Sequence, residues 1–151
     1  MSAAPERRVA GGLEWSLRRW PVGEVGEAGE VGDGAAERPT IVALHGFAGS
    51  GEDFSPLIAA PGDALDCDWI TVDIPGHGRS AAPERAAAYA MPAVAAGLAE
   101  LLAAVTRGPY VLLGYSMGGR LALSLVLGDG AAGLVWPRPA GLILVGATPG
   151  I

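Results

Sequence analysis

The sequence predicts an α/β fold, a mostly parallel sheet with helices on both faces. Three observations carry this. Short apolar, β-branched runs alternate with longer alanine- and leucine-rich stretches, the order that a parallel sheet with crossover helices requires. The short runs are apolar throughout rather than alternating, as strands buried on both faces are. Three of them end directly in special loops, "HGFAGSGEDF" (45–54), "DIPGHGRS" (73–80) and "GYSMGGR" (114–120).

Taken in order, residues 7–20, "RRVAGGLEWSLRRW", alternate weakly and predict one edge strand around Leu13–Trp20. Residues 21–38 carry the acidic, low-complexity pattern "GEVGEAGEVGDG", which has too little apolar surface to fold alone. It reads as a long solvated hairpin loop, with a partner-binding tail as the alternative. Residues 1–39 thus form an N-terminal edge-strand region with a flexible Gly/Glu-rich loop, and the core spans 40–151. "TIVALHG" is a buried parallel strand. "EDFSPLIAAPGDAL" is a short helix broken at Pro61-Gly62. "DWITVDIPGHG" is a second buried strand. "PERAAAYAMPAVAAGLAELLAAVTRG" is helical, kinked or restarted at Pro92 and stopped by Gly108-Pro109. "PYVLLGYS" is a third buried strand, "MGGRLALSLVLG" a helix and "GLILVGATPGI" a fourth buried strand.

Composition narrows the function classes. The 151 residues suit one domain, and half of them are hydrophobic. Net charge is -6, all 10 cationic residues are arginine and they form no cluster, so nucleic acid is not the expected partner. The single cysteine, Cys67, allows no intrachain disulfide; it reads as a structural thiol and fits a cytoplasmic setting. No apolar run approaches the roughly 18 residues of a membrane span, and no signal-peptide-like run is expected at the N-terminus. With two histidines, one cysteine and no H-E-x-x-H or C-x-x-C, no metal site is expected. "GSGED" lacks the G-K-[ST] of a phosphate loop and "GYSMGG" is not G-x-G-x-x-G, so no cofactor is expected.

In an open parallel sheet, ligands bind outside the carboxyl ends of the strands, where the three loops gather. "GYSMGG" matches G-x-S-x-G between a strand and a helix, which makes Ser116 the candidate nucleophile on a strained turn. Gly114 and Gly118 then mark a close strand–helix approach. The Met117 N–H at the helix start and the Phe47 N–H after the His45-Gly46 turn are the candidate oxyanion donors. His45 reads as a brace for that turn through hydrogen bonds rather than as the base. His77 reads as a loop histidine capping backbone groups, and Asp73 as an acceptor for loop amides.

The motifs "ALHGFAGSGEDF", "TVDIPGHGRS", "LLGYSMGGRLAL" and "LILVGATPG" occur in the order and spacing of the α/β-hydrolase fold. Residues 40–151 resemble its N-terminal half. Within that fold, "HGFAGSGEDF", "GYSMGGR" and "GATPGI" most resemble the 2-succinyl-6-hydroxy-2,4-cyclohexadiene-1-carboxylate synthase family of menaquinone biosynthesis. The resemblance implies a lyase in which a histidine-activated serine removes a substrate proton and pyruvate leaves without an acyl-enzyme. It implies that Ser116 is that serine, that Arg120 pairs with a substrate carboxylate and that Tyr115 lines the pocket, with His45 and Gly46 supporting the oxyanion loop. The partner so implied is a small-molecule carboxylate; a general carboxylic-ester hydrolase is the alternative.

The fold's order is Ser, then Asp/Glu, then His. No histidine follows Ser116, and the only later acid is Asp129. The expectation is therefore a truncated chain that is inactive alone, a non-catalytic fragment, or a half completed by a partner. "LILVG" is expected to be an exposed apolar edge. The sequence sets no oligomeric state.

Overall fold

The computed structural model describes residues 4–21, 39–60, 67–128 and 131–148. Six strands form one sheet: β1 (Glu6–Ala10), β2 (Leu13–Trp20), β3 (Thr40–Leu44), β4 (Asp68–Asp73), β5 (Tyr110–Tyr115) and β6 (Gly141–Val145). Their order is β1-β2-β4-β3-β5-β6. β3 pairs in parallel with β4 and β5, and β5 with β6; β2 is antiparallel to both β1 and β4. The mostly parallel sheet expected from the sequence is present, and β2 has the predicted span.

The segment 7–20 holds two strands rather than one. Gly11 and Gly12, at φ 58° and 72°, make the two-residue turn of a β1–β2 hairpin. The hairpin leans on α2 (Met91–Val105). The Gly11 N–H donates to Glu100 Oε2 at 2.7 Å, and the Trp15 indole N–H to the Ala10 carbonyl at 3.0 Å. A Cβ on Gly11 would stand 2.6 Å from the Gly97 Cα, so backbone meets backbone where hairpin and helix cross.

The stretch from Pro83, predicted to be helical with a kink or restart at Pro92, is restarted there. A 3-10 turn covers Ala86–Tyr89, and α2 begins at Met91 with Pro92 in its first turn. There the missing N–H and fixed φ of proline cost nothing, so Pro92 starts the helix instead of bending it. α3 (Met117–Leu127) follows β5 directly. The helix predicted from Glu52 is likewise short, a 3-10 turn over Gly51–Phe54 running into α1 (Ser55–Ile58).

The two faces of the sheet are covered unequally. On one, Leu98 and Leu102 of α2 and Leu121 and Leu125 of α3 bury Val42, Val72 and Leu112. On the other, Phe54 and Ile58 rest on Ile41, Ala43, Trp69 and Leu113. The Gly/Glu-rich stretch read as a hairpin loop falls almost entirely outside the described residues, as does Asp129. No helix among the described residues is long and apolar enough to cross a membrane.

The sheet edges differ in kind. β1 carries charge: Arg7 pairs with Glu14, and Arg8 with Glu6, which discourages further strand pairing. β6 carries none. Leu142, Ile143, Leu144 and Val145 are 36% to 48% exposed, and among the described residues β6 pairs on one side only. The 151-residue chain is therefore expected to self-associate through β6. In sedimentation velocity, Ile143→Lys should raise the monomer fraction; a wild-type chain that stays monomeric at all concentrations contradicts this.

Candidate active site

The loops after β3, β4 and β5 meet at the carboxyl edge of the sheet, and Ser116 stands where they converge. It joins β5 to α3 with φ 51° and ψ -111°, a region that costs a non-glycine residue on the order of 1–3 kcal/mol. Hydrogen bonds hold it there. Its N–H donates to the Val145 carbonyl of β6 at 2.8 Å, and its carbonyl accepts the Arg120 N–H at 3.1 Å, the first bond of the helix. Three glycines permit the approach. A Cβ on Gly114 would lie 2.5 Å from the Gly119 Cα, one on Gly118 would run into the Leu44 carbonyl, and one on Gly119 into the Ala147 side chain. Met117 opens α3, so its N–H is among the amides that no helical carbonyl accepts.

The β3 exit lies beside the serine. A Cβ on Gly46 would stand 2.9 Å from the Tyr115 ring and 3.5 Å from Ser116 Cβ. Gly46 therefore lets the His45-Gly46-Phe47 turn close against the elbow. The turn is completed by Ala48 at φ 60° and by the Gly49 N–H donating to the Gly46 carbonyl at 3.1 Å. A capping box between Ser50 and Asp53 then starts the 3-10 turn. The Phe47 side chain is 81% exposed, its ring edge-on to His77 at 5.7 Å.

His45 is 1% exposed. The Ile74 N–H donates to its Nε2 at 3.0 Å, so Nδ1 carries the ring hydrogen and donates to the Gly46 carbonyl at 2.7 Å. Both nitrogens are committed to backbone, and none is left to take a proton from Ser116. Burial pushes the His45 pKa below its ordinary value, against a smaller upward pull from the Gly46 carbonyl. His77 packs its ring 5.2 Å from that of His45, with Nδ1 3.3 Å from the Pro75 carbonyl.

Asp73, buried at the end of β4, accepts the Gly51 N–H at 2.7 Å and the Arg79 N–H at 2.9 Å. Its main-chain carbonyl accepts the Ser80 hydroxyl at 2.6 Å. One carboxylate thus ties together the loops after β3 and β4.

Arg120 is exposed one helical turn past Ser116. It lines a cavity of about 470 Å³ with Met91, Leu123, Ser124 and Leu127. The other residues that α3 and its exit give to this cavity, Leu123, Ser124, Leu127 and Gly128, all follow Arg120 in the chain. Among the described residues no ion pair engages its guanidinium. The Tyr115 ring is half exposed and lies across Gly46, with Gly146 on its other flank, so it props the β3 and β6 exits apart. Sequence reasoning did not identify that propping role, nor Gly119, nor the Val145 carbonyl that anchors Ser116. It also passed over Arg18, buried on β2 and paired with Glu52; the signal was its place opposite the core-facing Trp15 and Leu17 in the period-two pattern.

Comparison with known proteins agrees with this geometry. A family profile described as the alpha/beta hydrolase fold matches residues 39–129. The 2-succinyl-6-hydroxy-2,4-cyclohexadiene-1-carboxylate synthase of Pectobacterium atrosepticum is 36% identical over 116 residues, covering 76% of this chain and 41% of that protein. A putative synthase of the same name from Bacillus subtilis is 34% identical over 125 residues, covering 81% and 40%. The magnesium-chelatase 30 kDa subunit of Rhodobacter capsulatus is 31% identical over 157 residues, covering 92% and 49%. The chain thus spans less than half the length of each of these relatives. Among solved structures, an epoxide hydrolase from Vigna radiata superposes with a TM-score of 0.71 at 15% identity, covering 94% of this chain and 39% of that one. A putative aryl esterase from Burkholderia cenocepacia gives 0.70 at 24% identity, covering 96% and 47%. These two likenesses are of fold.

Two outcomes follow from the packing. Gly118→Ala forces a methyl group into the Leu44 carbonyl and should lower unfolding free energy by about 3 kcal/mol, read from urea denaturation. The unfolded chain protonates His45 at its ordinary pKa of 6.5, the folded chain only at lower pH. Stability from neutral His45 is thus full above that value and is lost as pH falls below it. Urea midpoints should drop from about pH 7.5 to about pH 5.5, and His45→Gln should flatten that dependence.

Proposed function

The chain belongs to the α/β-hydrolase-fold family, and from that premise we propose that it supplies the nucleophile half of a serine-dependent lyase of menaquinone biosynthesis. The reaction is elimination of pyruvate from 2-succinyl-5-enolpyruvyl-6-hydroxy-3-cyclohexene-1-carboxylate. The synthases that match 76% to 81% of the chain support this choice. The observation that carries it is the Arg120 guanidinium, one helical turn past Ser116 and without an ion pair among the described residues, with a partly apolar cavity along α3 beside it. A carboxylate-bearing ring suits that combination.

In this reading Ser116 Oγ, once deprotonated, removes the proton beside the substrate ketone. Electrons move through the ring, the C–O bond to the enolpyruvyl group breaks, and pyruvate leaves as its enolate and is then protonated. The Phe47 and Met117 N–H groups stabilise the negative charge that develops on the ketone oxygen. Arg120 holds a carboxylate, and Tyr115 borders the pocket. His45 has no free nitrogen for the serine, so this reading needs an activating histidine other than His45. We infer that the chain alone retains at most the residual activity of an oxyanion hole. The reading puts the reaction in the cytoplasm, which suits a chain whose single cysteine, Cys67, is buried.

Pyruvate release should be measured on the full-length protein that carries these residues. Ser116→Ala should lower kcat by about 1,000-fold or more. Arg120→Gln should raise KM about tenfold with a smaller effect on kcat. Undiminished release in Ser116→Ala would sink the assignment. Ester turnover without pyruvate release would point instead to acyl transfer.

A further inference from the structure

A second group of polar side chains lies on the same edge of the sheet, beyond β3 from Ser116. The register of β2 sets Ser16 opposite Asp73 and Arg18 opposite Thr71. Trp15 and Leu17 enter the core beneath α2 and α3, so Arg18 faces the thinly covered side. It is 6% exposed, an unusual depth for arginine. Its Nη2 pairs with Glu52, and its buried Nε–H has no protein acceptor. A cavity of about 260 Å³ opens here, lined by Arg18, Ser50, Glu52, Asp73, Gly78 and Arg79.

Charge accounting indicates what this cavity takes. Both Asp73 oxygens already accept backbone N–H groups, from Gly51 and Arg79. Glu52 is neutralised by Arg18. The Arg79 guanidinium enters no ion pair among the described residues. Ser50 Oγ accepts the Glu52 N–H, which leaves its hydroxyl hydrogen to donate. The cavity therefore offers an arginine without an ion pair and a hydroxyl donor, with the Asp73 charge met only by backbone N–H groups.

We propose that this cavity binds the carboxylate group of a small organic acid. The planar anion takes the fork of Arg79 and accepts from Ser50. The volume lies below the usual 300–1,000 Å³ of drug-sized sites, which limits the ligand to a few carbons. Asp73 and Glu52 in the lining disfavour a doubly charged anion such as phosphate. The inference is independent of the role given to Ser116, and the cavity is distinct from the one beside Arg120.

The test is a titration of the ¹⁵N-labelled 151-residue chain with acetate and, separately, with inorganic phosphate. Acetate should shift the amides of Ser50, Glu52, Gly78 and Arg79 saturably, and Arg79→Gln should weaken binding about tenfold. Arg79→Lys should retain part of the affinity. The proposal is overturned by the absence of a saturable shift, by shifts confined to Arg120, Leu123 and Ser124, by equal affinity in Arg79→Gln, or by phosphate binding more tightly than acetate.

Discussion

The close approach of three backbones at Gly114, Gly118 and Gly119 governs the rest of the structure. β5 must turn into α3 within one residue, and α3 must begin against the end of β3. Only hydrogen side chains fit between them. Ser116 is left to absorb the turn at φ 51°. Strain of that kind persists only where the surroundings over-determine it. Here they do: β5 is flanked by parallel neighbours, and Leu121 and Leu125 seat α3 in the core. The serine is left half-buried at the turn that connects strand and helix.

Around this elbow the polar groups act on backbone more than on one another. His45 spends both nitrogens on main-chain partners, and Asp73 both oxygens. Each is buried, and each would be costly to bury without those bonds. Their effect is to fix the loops after β3 and β4 relative to the strands. The Gly46–Phe47 peptide is thereby held at the end of β3, its carbonyl taken by the His45 ring.

Much of this was legible from residue order. The span Leu13–Trp20, the four parallel strands, the serine elbow, the bracing role of His45 and the amide-binding role of Asp73 follow from local rules of pattern and turn chemistry. The β1 strand was not legible, because "ERRVA" has neither apolar alternation nor burial of its own; it exists through its pairing with β2. Pro92 was ambiguous, since a proline reads alike as a kink and as a first-turn residue until the helix start is known. Arg18 was hidden because a charged side chain on the face opposite Trp15 and Leu17 looks like an ordinary solvent-facing position until Glu52 is found beside it. Tyr115 was read for its neighbour in sequence, while its packing is decided by Gly46 and Gly146, far apart in the chain.

The bond from the Ser116 amide to the Val145 carbonyl gives the bare edge of the sheet a larger meaning. A non-glycine residue held at positive φ is tethered to a strand whose apolar side chains are partly bare. Any fraying of β6 releases that tether and lets the elbow relax toward ordinary backbone angles. Conversely, whatever settles against β6 also stiffens the serine turn, without touching it. Assembly at the rim and the geometry of the serine turn are thus mechanically linked.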